Sequence, residues 1–402
     1  MTVLGVWMDG QQVATLSERR STLRLEHTEA AFAAGIGRPL LSVSLPVRNR
    51  PYQGGTAHAF FNGLLPEGEA RRMIAHDFGV HVDSVIDLLA ILGRDCAGAL
   101  VVLADGEAPE EPGPPEPVSE AEVAERLRQL RISPLGVDNR VRVSLAGIQE
   151  KLLLAKTGEG WALPVDGAPS THILKPVVPL LRHSVTNEAF CMRVAHHLDI
   201  PVAQVELGSF EDRRVLVVER YDRARGFGGV ARIHQEDLCQ ATGREPTRKY
   251  EEQAGPSLVQ CTQVLRSWAR DAENIERLLD VTVLNVAIGN ADAHAKNLSL
   301  LHLPNGRISL APAYDLMSTT YYADTSTKPG MLVNGVDDIT AVTVDDLVAE
   351  ADSWGLGHEM VTIRVHALLD RLPAAVEAAA LEIEPPESLV DHIRANAGRL
   401  RR

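Results

Sequence analysis

Asn290-Ala-Asp292-Ala-His294-Ala-Lys296-Asn297, followed by Ala313-Tyr314-Asp315, is the stretch on which the fold reading turns. It can build a phosphoryl-transfer site from three spaced polar side chains. Such a site needs an Asp that takes the proton of an attacking hydroxyl, an Asn five residues later that holds a metal ion, and a further Asp that holds metal against nucleotide phosphates. Asp292, Asn297 and Asp315 repeat that order and that first spacing. A transferring phosphoryl group carries dense negative charge, so its chemistry depends on positioning and on neutralisation by metal and cations. The same residues also fit a polar loop closing the apolar run 284–289, with Asn and Asp satisfying turn geometry.

Working outward, the chain divides by composition. Before residue 105, strand-like runs at Val3 to Trp7, Leu40 to Leu45 and Ala97 to Leu103 alternate with helical stretches at Glu67 to His76 and Asp83 to Leu92, which describes a small α/β domain, residues 1–104. Residues 105–122 hold seven acids, no Lys or Arg and five prolines. That segment has too little apolar surface to order itself and is expected to be an extended linker or exposed loop. A helix at 119–131 follows, then strand-like segments at Val141 to Val143, Lys151 to Ala155, Thr171 to Leu174, Val205 to Ser209 and Arg214 to Glu219, interrupted by a helix from Asn187 to Leu198. Beyond Tyr221 the pattern is mostly helical, at 235–242, 256–269, 273–288, 344–351, 359–381 and 387–401. The expected fold is mixed α/β (α+β): the N-terminal domain, a strand-rich lobe at 123–222 and a helical lobe at 223–402, the two-lobed layout of a kinase core.

Two more segments could complete such a site. Ser144-Leu-Ala-Gly-Ile-Gln-Glu-Lys151 lies between strand-like runs and could turn backbone N–H groups toward phosphate oxygens. With one glycine it fails the Gly-x-Gly-x-x-Gly pattern and fits a hairpin connection as well. Lys175 closes the run Thr171-His-Ile-Leu-Lys175, where alternation would carry it to one face of a strand, within reach of a phosphate or simply into solvent. Leu216 to Tyr221 is an apolar strand that could offer backbone groups to an adenine ring, or form a buried sheet strand. Glu188 opens the following helix where a kinase places the glutamate that orients its lysine, and capping and dipole placement explain a first-turn Glu equally well, so it is not counted as a site residue. No Walker loop and no Gly-x-Ser-x-Gly elbow is present.

Composition narrows the rest. The 402 residues, 45% hydrophobic and 23% charged, describe an ordinary globular protein large enough for two or three domains. A formal charge of −14 argues against direct grip on nucleic acid. Cys96, Cys191, Cys239 and Cys261 are far apart and form no Cys-x-x-Cys pair, so buried thiols are expected rather than a zinc site or disulfides. The opening segment lacks a signal-peptide pattern and no apolar run approaches a membrane span, so a cytoplasmic location is expected.

Six ordered motifs together resemble the HipA family of serine/threonine kinases, the toxin components of bacterial toxin–antitoxin pairs. They are Ser144 to Lys151, Thr171 to Lys175, Val218-Glu-Arg-Tyr-Asp-Arg223, Gln235-Glu-Asp-Leu-Cys-Gln240, Gly289 to Asn297 and Ala313-Tyr-Asp-Leu316; Phe60-Phe-Asn-Gly-Leu-Leu-Pro-Glu67 resembles the family's N-terminal domain. The resemblance implies an ATP- and Mg2+-dependent phosphotransferase with Asp292 as catalytic base and Asn297 and Asp315 as magnesium ligands. It implies nucleotide contacts from Ala146, Gly147, Ile148, Gln149, Glu150 and Lys151, from Lys175, from the hinge Glu219, Arg220 and Tyr221, and from His294, Asn297, Tyr314 and Asp315. Ser144 matches the family's autophosphorylated serine, where a phosphate would add about −1.5 to −2 charges beside the site. The implied partners are a HipB-like DNA-binding antitoxin, through which alone the chain would meet DNA, and a protein substrate, for which an aminoacyl-tRNA synthetase is the family's best-known example. A catalytically idle module serving as corepressor on an antitoxin–operator complex is the alternative. The acidic insert at 105–122 has no counterpart in the family pattern, and Ile148 is larger than is usual at its loop position.

Overall fold

The structure, a computed structural model, describes residues 2–20, 22–111, 113–226 and 229–401. Met1 of the opening segment and Pro112 of the acidic segment lie outside them. The chain folds into two compact units, each assembled from separate segments: Met1–Pro176, Gly208–Pro246 and Leu301–Asn305 in the first, Val177–Leu207, Thr247–Leu300 and Gly306–Arg402 in the second.

The first unit opens with an antiparallel sheet ordered β4-β3-β2-β1-β5, made of β1 (Val3–Met8), β2 (Gln11–Arg19), β3 (Thr22–His27), β4 (Tyr52–Gln53) and β5 (Val101–Ala104). Helices α1 (Glu29–Ala34), α2 (Gly55–Asn62), α3 (Gly68–Asp77) and α4 (Val85–Leu92) accompany it. Leu4, Val6, Leu16 and Leu25 from the strands pack with Phe60, Phe61, Leu88 and Leu89 from α2 and α4. Ser84 caps α4 by accepting from the Asp87 N–H.

The run Leu40–Leu45, expected as a strand, is instead a buried turn. Leu41 and Leu45 are fully buried, which explains the apolar signal. The backbone, however, is satisfied by side chains and by itself: Glu236 Oε1 accepts from Val43 N (2.9 Å), and Leu45 N donates to Ser42 O (3.1 Å). Burial and strand pairing are separate requirements, and this segment meets only the first.

The second sheet of this unit has the order β10-β11-β9-β7-β8-β6. Its members are β6 (Glu116–Pro117), β7 (Leu152–Thr157), β8 (Gly160–Leu163), β9 (His172–Pro176), β10 (Val205–Phe210) and β11 (Arg213–Glu219), with α5 (Glu120–Arg128) entered through a Ser119/Glu122 capping box. The acidic segment is therefore not loop throughout. Its end forms the edge strand β6, pairing Glu116 with Leu163 and Pro117 with Ala162, an edge place that suits proline. Helix α5 stops at Arg128 rather than 131, and Val141 and Val143 make only isolated bridges. Past Tyr221 the expected helical run gives way to the hairpin β12 (Arg223–Gly226) and β13 (Gly229–Arg232), then β14 (His234–Asp237). Helix α7 (Leu238–Ala241) begins at an Asp237/Gln240 capping box, three residues later than read from sequence.

The second unit is largely helical. Helix α6 (Ser184–His197) starts three residues before Asn187, so Glu188 is a buried residue of the helix interior and not a capping residue. It is joined by α8 (Leu258–Trp268), α9 (Ala272–Ile288), α10 (Val344–Ser353), α11 (His358–Ile383) and α12 (Glu387–Leu400), with the short strands β15 (Ser299–His302) and β16 (Ile308–Leu310) beside each other. Leu278, Leu279, Leu284, Val361, Val365, Leu369 and Leu389 are buried. Cys96, Cys191, Cys239 and Cys261 are buried free thiols, and burial pushes Cys96, Cys191 and Cys261 up to about 12. No helix among the described residues is long and apolar enough to cross a membrane.

Candidate active site

Helix α9 delivers the chain into the 290–297 loop. It ends at Gly289, whose left-handed backbone (φ 70°) lets Gly289 N and Asn290 N return to the Val286 and Asn285 carbonyls. A Cβ at this position would stand 2.1 Å from Thr320 Oγ1, so glycine is required by space as well as by φ. The loop beyond is fastened at successive peptides. Ala291 N donates to Thr319 Oγ1 (2.8 Å) and Ala291 O accepts from Gly330 N (2.8 Å). The Asp292 carbonyl accepts from His294 N (2.8 Å) and from Asn297 Nδ2 (3.1 Å). With its backbone held this closely, the loop presents Asp292, His294 and Asn297 from a fixed platform.

Asp292 is exposed, and Tyr250 Oη donates to its Oδ1 at 2.6 Å. Desolvation by the surrounding protein lifts its carboxyl above the usual Asp range, and the Asp315 carboxylate adds to the rise; the Tyr250 hydrogen bond and Lys249 act against it. Asp315 has a left-handed backbone (φ 60°), a conformation Asp tolerates better than most residues and one that collects at functional sites. The segment just after it is pinned by α6: Asn187 Oδ1 accepts from Ser318 N and Asn187 Nδ2 donates to Ser318 O, both at 2.9 Å. Tyr314 Oη is engaged with Ser299 Oγ and the Lys296 carbonyl, both at 2.7 Å.

His294, Asn297, Tyr314 and Asp315 line one cleft, whose remaining wall is mostly apolar and includes Leu278, Val281, Met331 and Ile339. His294 is buried; desolvation and then Lys249 push its imidazole well below the ordinary range, which keeps it neutral. Its Nδ1 is buried without a hydrogen-bond partner. A buried polar atom left unsatisfied costs about 1–3 kcal/mol and is a place where a ligand group can bond. The Asp315 carboxylate and the Asn297 amide oxygen on the wall of this cleft are oxygen donors of the kind that suit a hard divalent cation. No larger cluster of His, Cys, Asp or Glu suited to a metal exists among the described residues.

The remaining sequence candidates lie in the first unit. The segment Ser144–Lys151 is irregular rather than a hairpin, since β7 starts only at Leu152 and pairs with β9 in the register Leu152↔Leu174. By that register Lys151 and Lys175 flank the same end of the ladder. Lys151 Nζ folds back to donate to the Ala146 carbonyl (2.6 Å), and Gly147 (φ 113°) leaves room for it, because a Cβ there would come within 2.6 Å of Nζ. Ile148 and its neighbour Gln149 carry the loop outward, Ile148 being 64% exposed, and Glu150 pairs with Arg131 at the surface. Ser144 is fully buried; its Oγ donates to the Leu64 carbonyl at 2.7 Å. Glu219 is exposed at the end of β11, and half-buried Tyr221 donates its hydroxyl to Gln235 Oε1.

Arg220 occupies quite another setting. Its guanidinium is buried against Asp222 (3.0 and 2.8 Å), Ser170 Oγ (2.7 Å) and the Cys96 carbonyl (3.0 Å), in a network with Asp95 and Arg223. Every side-chain direction is committed, and its backbone is engaged as well: Arg220 N donates to Thr171 O (2.9 Å) and Arg220 O accepts from Arg223 N (3.2 Å).

The family model described as HipA-like C-terminal domain matches residues 143–379, and that described as HipA N-terminal domain matches 4–103. The chain belongs to the HipA family of kinases. It is 39% identical to the candidate kinase Y4mE of Sinorhizobium fredii, across 98% of this chain and 95% of that protein. It is 29% identical to the serine/threonine-protein kinase toxin HipA of Shewanella oneidensis, across 81% of this chain and 78% of the toxin. The solved Shewanella oneidensis MR-1 complex of HipA, HipB and operator DNA contains a chain with the same mixed α/β fold, with TM-score 0.85 and 27% identity over 99% of this chain and 95% of that one.

Against this HipA-family frame, sequence reasoning missed Tyr250, Thr319, Gly330 and Asn187, all of which touch or fasten the loop and the Asp315 segment. Tyr250 stands 42 residues from Asp292 in a stretch with no periodic signal.

Proposed function

We propose that this HipA-family protein is an ATP- and magnesium-dependent protein serine/threonine kinase and the toxin of a type II toxin–antitoxin pair. The observation that carries the reading is the cleft lined by His294, Asn297 and Asp315, with Asp292 on the same loop and held by the Tyr250 hydroxyl. In this reading a substrate serine gives its hydroxyl proton to Asp292, its oxygen bonds to the γ-phosphorus, and the bond from that phosphorus to the β,γ-bridging oxygen breaks to release ADP. Asn297 and Asp315 hold magnesium, which when bound neutralises phosphate charge.

Lys175 and the backbone of Ala146 to Lys151 contact phosphates. Glu219 and Tyr221 present backbone groups to adenine, with Arg220 between them contributing no side chain. The unpartnered Nδ1 of His294 and the ring of Tyr314 complete the nucleotide contacts; Tyr314 keeps its hydroxyl for Ser299 and Lys296. Ser144 is the autophosphorylated residue, and its burial under the Leu64 carbonyl means it must leave that bond to accept phosphate. With this function goes the division into an N-terminal domain (1–104), acidic linker (105–122), strand-rich lobe (123–222) and helical lobe (223–402), which follows chemistry rather than compactness.

A HipB-like DNA-binding antitoxin is the proposed partner, supported by the Shewanella assembly in which a HipA was solved with HipB and operator DNA. The proposed setting is cytoplasmic, with no membrane partner, and the proposed substrate is a cellular protein of the aminoacyl-tRNA synthetase class. The test is incubation of purified protein with labelled ATP, magnesium and a bacterial lysate. Label in protein with wild type and none with Asp292→Asn supports the reading; no phosphoprotein with either, or equal labelling by both, overturns it.

A further inference from the structure

Tyr250 precedes the short turn Glu251–Gln253 and belongs to none of the recognised motifs. Its hydroxyl reaches Asp292 Oδ1 at 2.6 Å, and its ring meets His294 edge-on, with centroids 5.1 Å apart and planes at 80°. One side chain thus touches both functional groups at the head of the loop.

The backbone that carries it is fixed on either side. Lys249 O accepts from Ala295 N (3.3 Å), which ties the residue before Tyr250 to the loop itself. Tyr250 O accepts from Gln253 N and Gly255 N (2.9 Å each), and Glu251 N donates to Gly330 O (2.9 Å). Glu251 Oε2 accepts from Leu332 N at 2.8 Å. A half-buried phenol on so constrained a backbone has few ways to move, so its hydrogen bond sets the carboxylate's orientation rather than following it.

A carboxylate has two oxygens and about four acceptor sites, and an O–H···O− bond is among the stronger hydrogen bonds in proteins. We propose that Tyr250 is a positioning residue for phosphoryl transfer: its hydroxyl orients the Asp292 carboxylate through Oδ1, leaving Oδ2 for the acceptor serine, while its ring seats His294. The inference rests on the reading of Asp292 as the catalytic base. A free Asp side chain rotates among several rotamers, and a misplacement of about 1 Å in a reacting group costs on the order of 100-fold in rate.

Tyr250→Phe keeps the ring and removes the hydroxyl; Tyr250→Ala removes both. For purified full-length protein with magnesium and ATP, Tyr250→Phe is expected to lower kcat by about 10- to 100-fold while KM for ATP and nucleotide affinity stay at wild-type values. Tyr250→Ala is expected to lose kcat similarly and to bind nucleotide more weakly, through His294. In single-turnover assays with enzyme in large excess and long incubation, which follow the trace transfer left in Asp292→Asn below the lysate assay's detection, adding Tyr250→Phe is expected to cost nothing further, because the hydroxyl acts through that carboxylate. Wild-type kcat in a Tyr250→Phe protein of unchanged melting temperature overturns the proposal, as does an equal loss on the Asp292→Asn background. If Asp292→Asn alone transfers phosphate at the wild-type rate, the base assignment itself has failed, an outcome distinct from an inert Tyr250→Phe beside a dead Asp292→Asn.

Discussion

Gly330→Ala probes how tightly the 290–297 loop is held. Gly330 lies flat on the loop backbone: its N–H donates to Ala291 O at 2.8 Å and its carbonyl accepts from Glu251 N at 2.9 Å. A Cβ added here would stand 2.8 Å from the Ala293 carbonyl carbon and oxygen and from His294 N. Comfortable carbon contacts begin at about 3.5 Å, so one methyl group demands a displacement of roughly 0.7 Å. None of the three atoms is the end of a flexible side chain. Either the loop shifts, carrying Asp292 and His294 with it, or Gly330 withdraws and gives up its bonds to Ala291 and Glu251.

Overpacking of this kind costs about 1–3 kcal/mol of stability, and a shift approaching 1 Å in a reacting carboxylate costs on the order of 100-fold in rate. The assay is steady-state transfer of labelled phosphate from ATP to protein, with a urea melt on the same preparation. We expect kcat to fall about 10- to 100-fold and stability to fall by ~1–3 kcal/mol, with Tyr250→Phe and Gly330→Ala sharing the kcat loss. A Gly330→Ala protein with wild-type kcat and an unchanged melt would show that the loop does not depend on this close approach, and the claim of a rigid platform would fall.

Three further outcomes follow from the first unit. Ser144→Ala should abolish self-labelling while leaving ATP turnover intact, and should cost about 1–3 kcal/mol because the Leu64 carbonyl loses its buried donor; phosphate found on another residue by mass spectrometry would overturn the Ser144 assignment. Arg220→Met should destabilise by about 3–5 kcal/mol in a denaturant melt, since Asp222 loses its main partner inside the protein; a near-neutral change would mean the network is not closed. His58 Nδ1 lies 2.7 Å from Glu245 Oε1, and this contact raises the His58 pKa above 6.5 while Glu245 is held below 4.5 despite desolvation. The histidine's contribution is complete below pH 6.5 and disappears as pH rises through its folded-state value; the glutamate's is complete above pH 4.5 and disappears as pH falls through its own. Melting temperature should therefore decline above pH 6.5 more steeply in wild type than in Glu245→Gln, and parallel curves would refute the linkage.

What the sequence revealed and what it concealed divide along a physical line. Asp292 and Asn297 stand out in the sequence through their five-residue spacing on one short loop, a pattern a polar turn fits as well; the fold adds that His294, Asn297 and Asp315 line one cleft. Asp315 follows only by order, 18 residues past Asn297 in the sequence. The long helices α8, α9, α11 and α12 showed through apolar periodicity, which depends only on neighbours three and four residues away. Tyr250, Thr319, Gly330 and Asn187 were hidden because their value lies in what the fold brings to them.

The strand errors have the same origin. Leu40–Leu45 read as a strand because its leucines are buried, yet Glu236, nearly 200 residues away, supplies a hydrogen bond that a neighbouring strand would have supplied. The strands β12 and β13 carry no alternating apolar pattern in the sequence, and nothing local shows that Arg223 is buried on Asp95 and Asp222. Arg220 was read as a hinge contact from its motif; its charge is consumed inside the protein, a fact available only from its neighbours.

The central claim is that one nucleotide site is built on Asp292, Asn297 and Asp315. Its most direct test is a crystal structure with magnesium and a non-hydrolysable ATP analogue. The account predicts a metal coordinated by the Asn297 amide oxygen and the Asp315 carboxylate at about 2.0–2.1 Å, with the terminal phosphate facing Asp292. An analogue bound elsewhere, or a metal held by other residues, would contradict it.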